Sequence, residues 1–178
     1  MSQTTVTSAE LSAAIRNVPN FPKEGIQFKD ITPVLADARL FAGAIELLTA
    51  DIKPGSIDAV VGIDARGFIF AAAAALRLQT GFVPVRKKGK LPFLCHEESY
   101  DLEYGSNTVA LHIDAVKPGQ KVILVDDLLA TGGTAGAAVS LLKKIGAEII
   151  QVSFLIELGF LNGRAKLPNL PIKSIITY

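Results

Sequence analysis

The run Val122-Ile123-Leu124-Val125-Asp126-Asp127-Leu128-Leu129-Ala130-Thr131-Gly132-Gly133-Thr134 joins an apolar strand to two acids and then to a short turn of hydroxyls and glycines. After it, Ala138, Leu141, Leu142 and Ile145 recur at helical spacing, so the turn opens a helix. Backbone N–H groups of Ala130 to Thr134 then face outward at the positive end of a helix dipole, and Gly132 and Gly133 let the backbone close around an anion. That cradle suits a phosphate monoester, with Thr131 and Thr134 as added hydroxyl donors. Asp126 and Asp127, at the carboxyl end of the strand, are placed to accept hydrogen bonds from a vicinal diol. A phosphate below and a diol above describe ribose 5-phosphate. The plainer use of the same residues is a buried strand followed by a solvated acidic turn.

Two basic segments are candidates for a second anion. Asp64-Ala65-Arg66-Gly67 lies between a buried strand pattern and an alanine-rich helix, which puts Arg66 at the carboxyl edge of a sheet, where ligands of open α/β sheets bind. Its guanidinium and the loop amides suit a pyrophosphate; a surface salt bridge is the alternative. Val85-Arg86-Lys87-Lys88-Gly89-Lys90 ends the next strand with four cations. Alone, such a run is a solvated face. Beside a sugar-phosphate cradle it can grip a departing pyrophosphate as charge develops.

The segment Leu91 to Asn107 is long and polar for a strand connection and reads as a lid. Glu97, Glu98, Asp101 and Glu103 all lie on it, and spacing does not choose an acid–base group among them. His96-Glu97-Glu98 lacks a second histidine at helical spacing and His112 falls in a strand pattern, which argues against a zinc hydrolase. Neither a Walker loop nor a Gly-x-Gly-x-x-Gly fingerprint is present, which argues against ATP hydrolysis and dinucleotide redox chemistry.

Holding these groups requires a sheet. The 178 residues, 49% hydrophobic, suffice for one domain with a sizeable core. A net charge of +1 provides no general field to attract nucleic acid or anionic lipid. The single cysteine, Cys95, rules out an internal disulfide and fits a reducing compartment. No secretory signal pattern opens the chain and no apolar run reaches membrane-spanning length, so a soluble cytoplasmic protein is expected.

Along the chain, Thr7 and Glu10 read as a capping box for a helix through Asn17, with Leu11, Ala14, Ile15 and Val18 on one face. Phe21 to Pro33 reads as irregular. Helices are expected over Ala38–Asp51, from the turn Asp64-Ala65-Arg66-Gly67 to Leu78, and after the glycine turn. Strands are expected at Ala59–Ile63, Phe82–Val85, Thr108–Ile113, Lys121–Val125, Glu148–Ile156 and Ile172–Thr177. Short apolar strands alternating with helices specify an α/β fold, a mainly parallel twisted sheet flanked by helices.

The Val-Asp-Asp-Leu-Leu-Ala-Thr-Gly-Gly-Thr segment resembles the signature of the type I phosphoribosyltransferases, which bind 5-phospho-α-D-ribosyl 1-pyrophosphate (PRPP). Together with Glu103-Tyr104-Gly105 and the opening Asn20-Phe21-Pro22 to Thr32-Pro33, it is most similar to the members that act on adenine. The resemblance runs from about Val18 to the C-terminus. It implies the type I phosphoribosyltransferase fold as one domain over residues 1–178. An N-terminal base-binding hood would occupy about 1–33, and a sheet core about 34–178 would carry a flexible lid loop at about 91–107. The implied activity is purine salvage, converting adenine and PRPP to AMP and pyrophosphate.

Residue roles follow from the same resemblance. Ala130 through Thr134 would hold the phosphate and Asp126 and Asp127 the ribose. Arg66 would sit on the pyrophosphate loop, with a cis peptide expected between Asp64 and Ala65. Arg86, Lys87 and Lys90 would contact the diphosphate, Lys87 from a neighbouring subunit. Members that use 6-oxopurines typically place an aspartate at the position of Ala130, near N7 of the base; with alanine there, Glu103 would be the acid–base group. Backbone groups of Gln27 and Lys29 would read the adenine amino edge, and Phe28 and Leu128 would flank the ring. The resemblance also implies Mg²⁺, held by substrate phosphates and ribose hydroxyls, and a homodimer, with neither nucleic acid nor membrane as partner. Two alternatives remain open at this point: transfer to xanthine or another base, and a non-catalytic PRPP-sensing regulator.

Overall fold

The computed structural model describes residues 5–101 and 106–178. The chain divides into two compact units, Met1–Leu47 and Leu48–Tyr178.

In the first unit, helix α1 (Ser8–Ala14) starts at the capping box: Glu10 N–H donates to Thr7 Oγ1 at 3.2 Å and Thr7 N–H donates to Glu10 Oε2 at 2.9 Å. The helix stops at Ala14 rather than Asn17. Strand β1 (Arg16–Pro19) follows and pairs antiparallel with β2 (Gln27–Asp30), Val18 opposite Phe28. Val18 fits the helical stripe, but it precedes Pro19, and a residue before proline is driven from the helical region into an extended one. The segment read as irregular therefore contains half of a two-stranded ribbon. Phe21 and Phe28 meet edge to face, with centroids 5.1 Å apart. Two helices complete the unit, α2 (Thr32–Ala36), opened by a proline in its first turn, and α3 (Ala38–Leu48).

The second unit is built on a seven-stranded sheet. Its strands are β3 (Ala59–Ile63), β4 (Gly81–Lys87), β5 (Cys95–Asp101), β6 (Ser106–His112), β7 (Lys121–Leu129), β8 (Glu148–Glu157) and β9 (Ile172–Thr177), in the order β5-β6-β4-β3-β7-β8-β9. All neighbours from β4 to β9 are parallel, and β5 and β6 are antiparallel additions at one edge. Every residue of β3 is buried, the mark of a parallel strand covered on both faces. Helix α4 (Gly67–Leu78) packs on β3, β4 and β7, and helix α5 (Gly133–Ile145) packs on β5, β6 and β8. Ala138, Leu141 and Leu142 of α5 are fully buried with Val61, Leu124 and Phe154 of the sheet. Burial of each such leucine contributes about 1.5–3 kcal/mol.

Three expectations need correction here. The span Leu91 to Asn107 is not one loop, because β5 occupies Cys95–Asp101 and pairs with β6 from Cys95–His112 to Asp101–Ser106. Apolar alternation could not reveal this strand, since most of its residues are polar and several make polar contacts: Ser99 and Thr108 share a 2.9 Å hydrogen bond, and Glu98 accepts from Ser140 of α5 at 2.8 Å. Residues 102–105, and with them Glu103, lie outside the described residues. Strand β7 runs through both acids to Leu129, because β8 continues the ladder past them, Asp126 opposite Phe154 and Leu129 opposite Glu157. Strand β4 likewise continues into the cation run, with Arg86 opposite Ala110 of β6. Among the described residues no helix is long and apolar enough to cross a membrane.

Candidate active site

Parallel pairing of β3 with β7 brings Gly62 beside Val125, so the segments that follow the two strands emerge side by side at one edge of the sheet. Between them lies an open cleft of about 290 Å³, lined by residues 63–66 and 126–135. Arg66, Asp126, Asp127, Leu128 and the whole of Ala130 through Thr134 thus border one space.

The acids form a compact pair. Asp126 Oδ1 accepts the Asp127 backbone N–H at 2.9 Å, and Asp127 Oδ2 lies 2.9 Å from Arg66 Nε. Burial, reinforced by the charge of Asp127, pushes the Asp126 carboxyl well above the usual carboxylate range. Burial raises Asp127 too, and the Arg66 guanidinium opposes it.

Gly132 caps α5 with φ at +79° and supplies no side-chain acceptor. The helical ladder begins with Gly136 N–H donating to Gly132 C=O at 2.8 Å, which leaves the first-turn N–H groups without helical acceptors and aimed outward. A Cβ on Gly132 would strike the Gly163 carbonyl oxygen, so the loop rests directly on a second stretch of backbone. That stretch, the 3-10 turn Gly163–Lys166, is tied to the end of β8 by Arg164, whose Nε and Nη2 each donate to Glu157 at 2.7 Å. Arg164 holds the Glu157 carboxyl below its ordinary range. Sequence reasoning missed this support. Asn162-Gly163 is a turn signal, but nothing in it names residue 132 as its neighbour.

A second cavity of about 270 Å³ is bordered by Asp64, Arg86, Lys87, Tyr100, Asn107 and Thr134 among others, so Thr134 and Asp64 belong to both spaces. Arg86 Nε lies 3.2 Å from Asp64 Oδ2, and its Nη1 donates to the Lys90 carbonyl at 2.9 Å. Lys90 therefore meets Arg86 through its backbone, and Lys88 points elsewhere, 2.7 Å from Glu97. The Asp64–Ala65 peptide is cis.

Gln27, Phe28 and Lys29 lie on β2 in the first unit, where Lys29 Nζ donates to Asn17 Oδ1 at 2.6 Å. Leu128 lies in the second unit, on the first cleft. Among the described residues no three His, Cys, Asp or Glu side chains converge on a metal-sized site. Paired carboxylates for hydroxyls, outward N–H groups for a phosphate and flanking arginines for further negative charge together suit a sugar that carries phosphates at two positions.

Such a strand-edge arrangement defines a class, and the family model described as a phosphoribosyl transferase domain matches residues 28–168. The chain belongs to that family. Its resemblance is to the adenine phosphoribosyltransferases: the one from Acidothermus cellulolyticus is 51% identical over 93% of this chain and 94% of its own length. Among solved structures, adenine phosphoribosyltransferase from Thermoanaerobacter pseudethanolicus superposes with a TM-score of 0.92 at 48% identity, covering 97% of this chain and 100% of that one. The Saccharomyces cerevisiae enzyme, solved with an imino-altritol bisphosphate and adenine, gives a TM-score of 0.89 at 42% identity, covering 94% and 98%.

Proposed function

We propose that this chain is an adenine phosphoribosyltransferase, a glycosyltransferase of purine salvage that transfers the 5-phosphoribosyl group from PRPP to adenine and releases AMP and pyrophosphate. The observation that carries this reading is identity of about half the residues, along nearly the full length, with enzymes of that activity.

In this mechanism the first-turn amides of α5, with Thr131 and Thr134, bind the 5-phosphate. Asp126 and Asp127 accept hydrogen bonds from the ribose hydroxyls and fix the ring. N9 of adenine forms the new bond to C1′ as the C1′–oxygen bond breaks and its electron pair leaves with pyrophosphate. Charge grows on that leaving group, so Arg66, Arg86, Lys87 and Lys90 hold it more tightly in the transition state than in the ground state. Glu103 manages the purine proton through N7. For Gln27, Phe28, Lys29 and Leu128 a role toward adenine is supported by the family resemblance, as is a cytoplasmic homodimer.

Phosphoribosyltransferases generally use Mg²⁺ with PRPP. The residues present suit an ion that arrives with its substrate, because among the described residues no cluster of three His, Cys, Asp or Glu forms a cage, and Mg²⁺ commonly takes one or two carboxylates, such as Asp126 and Asp127, alongside phosphates and waters. When bound, it neutralises phosphate charge.

The test is AMP formation from PRPP with adenine, hypoxanthine or xanthine, with and without Mg²⁺. Turnover with adenine alone is expected. Preference for xanthine, or PRPP binding without turnover on any base, would overturn the reading. Glu103→Gln should lower single-turnover AMP formation by at least about 10²-fold, the lower end of general acid–base assistance, with Glu97→Gln near wild type.

A further inference from the structure

Thr134 borders both cavities, and its side chain is already engaged: Oγ1 donates to the Tyr100 hydroxyl at 3.0 Å. Tyr100 lies on β5 opposite Asn107, its ring partly buried against the core shared by α5 and the sheet. The strand is also fastened to α5 two residues earlier, where Glu98 accepts from Ser140 at 2.8 Å and from Lys144. These contacts hold the Tyr100 oxygen against the first turn of the helix whose amides face the cleft.

A threonine hydroxyl has one proton. While that proton is given to Tyr100, Thr134 has none to offer a ligand in the loop. The phenol also has one proton, and nothing prevents the pair from reversing direction.

We infer that Tyr100 is a positioning residue for the 5-phosphate of PRPP, acting through Thr134. When phosphate occupies the loop, the phenol O–H donates to Thr134 Oγ1, and Thr134 turns its own proton onto a phosphate oxygen. Both oxygens keep their places; two O–H bonds rotate and no covalent bond changes. The resulting chain of donors ends on an anion, and each link polarises the next. Removing the phenol oxygen leaves the threonine rotor undirected and its buried side short of a donor. This role rests on reading Ala130 to Thr134 as the phosphate cradle. The rival use of the same phenol is to donate into the second cavity, beside Arg86 and Lys87.

Tyr100→Phe keeps the ring and removes the oxygen. The probes are AMP, which carries a 5′-phosphate and no pyrophosphate, inorganic pyrophosphate, and PRPP with Mg²⁺, each titrated calorimetrically. Kd for AMP and for PRPP should rise together by about tenfold, the effect of one hydrogen bond in a chain ending on a charged group, while Kd for pyrophosphate stays unchanged. KM for PRPP should rise with kcat retained. In a Thr134→Val background, adding Tyr100→Phe should change nothing further. An unchanged AMP Kd in Tyr100→Phe overturns the inference, and so does weakened pyrophosphate binding with AMP unaffected, or a full additional loss in the Thr134→Val background. If wild-type protein fails to bind AMP, the cradle reading itself falls, whereas wild-type binding with an unaltered Tyr100→Phe removes only the role of Tyr100.

Discussion

Replacing Gly132 with alanine tests whether the phosphate loop depends on the backbone beneath it. At φ +79° the residue sits in the left-handed region, which costs an L-residue about 1 kcal/mol. Its new Cβ would also overlap the Gly163 carbonyl oxygen, with the carbonyl carbon at 3.0 Å. Relief requires the 3-10 turn to shift against the bidentate Glu157–Arg164 pair, a strain of about 1–3 kcal/mol. The sum is about 2–4 kcal/mol, or a fall of roughly 4–16 °C in Tm for a chain of this size. Gly55 isolates the first contribution, since its φ is +77° and nothing lies within 4 Å of its Cβ position. Gly55→Ala should therefore lose only about 2–4 °C and leave PRPP binding intact. In Gly132→Ala the displaced amides should raise the Kd for PRPP by at least about tenfold. Thermal unfolding and calorimetry on the two variants decide the matter. If Gly132→Ala melts no lower than Gly55→Ala and binds PRPP like wild type, contact with Gly163 does not shape the loop.

Asp126→Asn removes charge from a buried acid pair while an amide oxygen still accepts the Asp127 N–H. A carboxyl raised by burial opposes folding once ionised, so at pH 7 the variant should match or exceed wild type in Tm, with the gap closing as pH falls and the wild-type carboxyl protonates. PRPP affinity should drop by about tenfold or more in calorimetry, and an unaltered Kd would count against the diol role. Glu157 has the opposite sign: Arg164 holds its carboxyl below the ordinary value of 4.5, so the ion pair stabilises the fold above that pH and is lost as pH falls through the lowered value. Glu157→Gln should melt lower than wild type at pH 7, and the difference should narrow in denaturation below pH 4.5; a constant gap would refute the assignment. Arg66→Gln should reduce kcat more than it raises the KM for adenine, and the reverse pattern would remove Arg66 from the leaving group.

What the sequence revealed divides by the kind of force involved. Ala59–Ile63 was readable to the residue because it is an uninterrupted apolar run between aspartates, and Ile172–Thr177 because its β-branched residues follow the turn formers Pro168, Asn169 and Pro171. The phosphate loop was readable because glycine, hydroxyl and acid types coincide in one short segment. Strand β5 was not, since a polar edge strand is held by backbone pairing and by Ser99, Glu98 and Tyr100 meeting residues distant in the chain. The ribbon of β1 and β2 was hidden by Val18, which completes a helical stripe and a cross-strand pair equally well. Gly163 could not be connected to Gly132 by any local pattern, because their contact is made of two backbones that carry no side-chain signature.

Arg66 at the first cleft and Arg86 at the second cavity each begin with a carboxylate of their own, Arg66 with Asp127 and Arg86 with Asp64. A guanidinium so compensated attracts a stray anion less strongly than a bare one would. Inorganic phosphate would have to outbid a carboxylate at either arginine, which leaves it the first-turn amides of α5. A ligand that offers hydroxyls to Asp127 together with an anion can repartition the Arg66 pair, giving the carboxylate a new donor as its arginine turns away. At Arg66 the resting ion pair thereby favours a molecule that brings both kinds of group over one that brings negative charge alone.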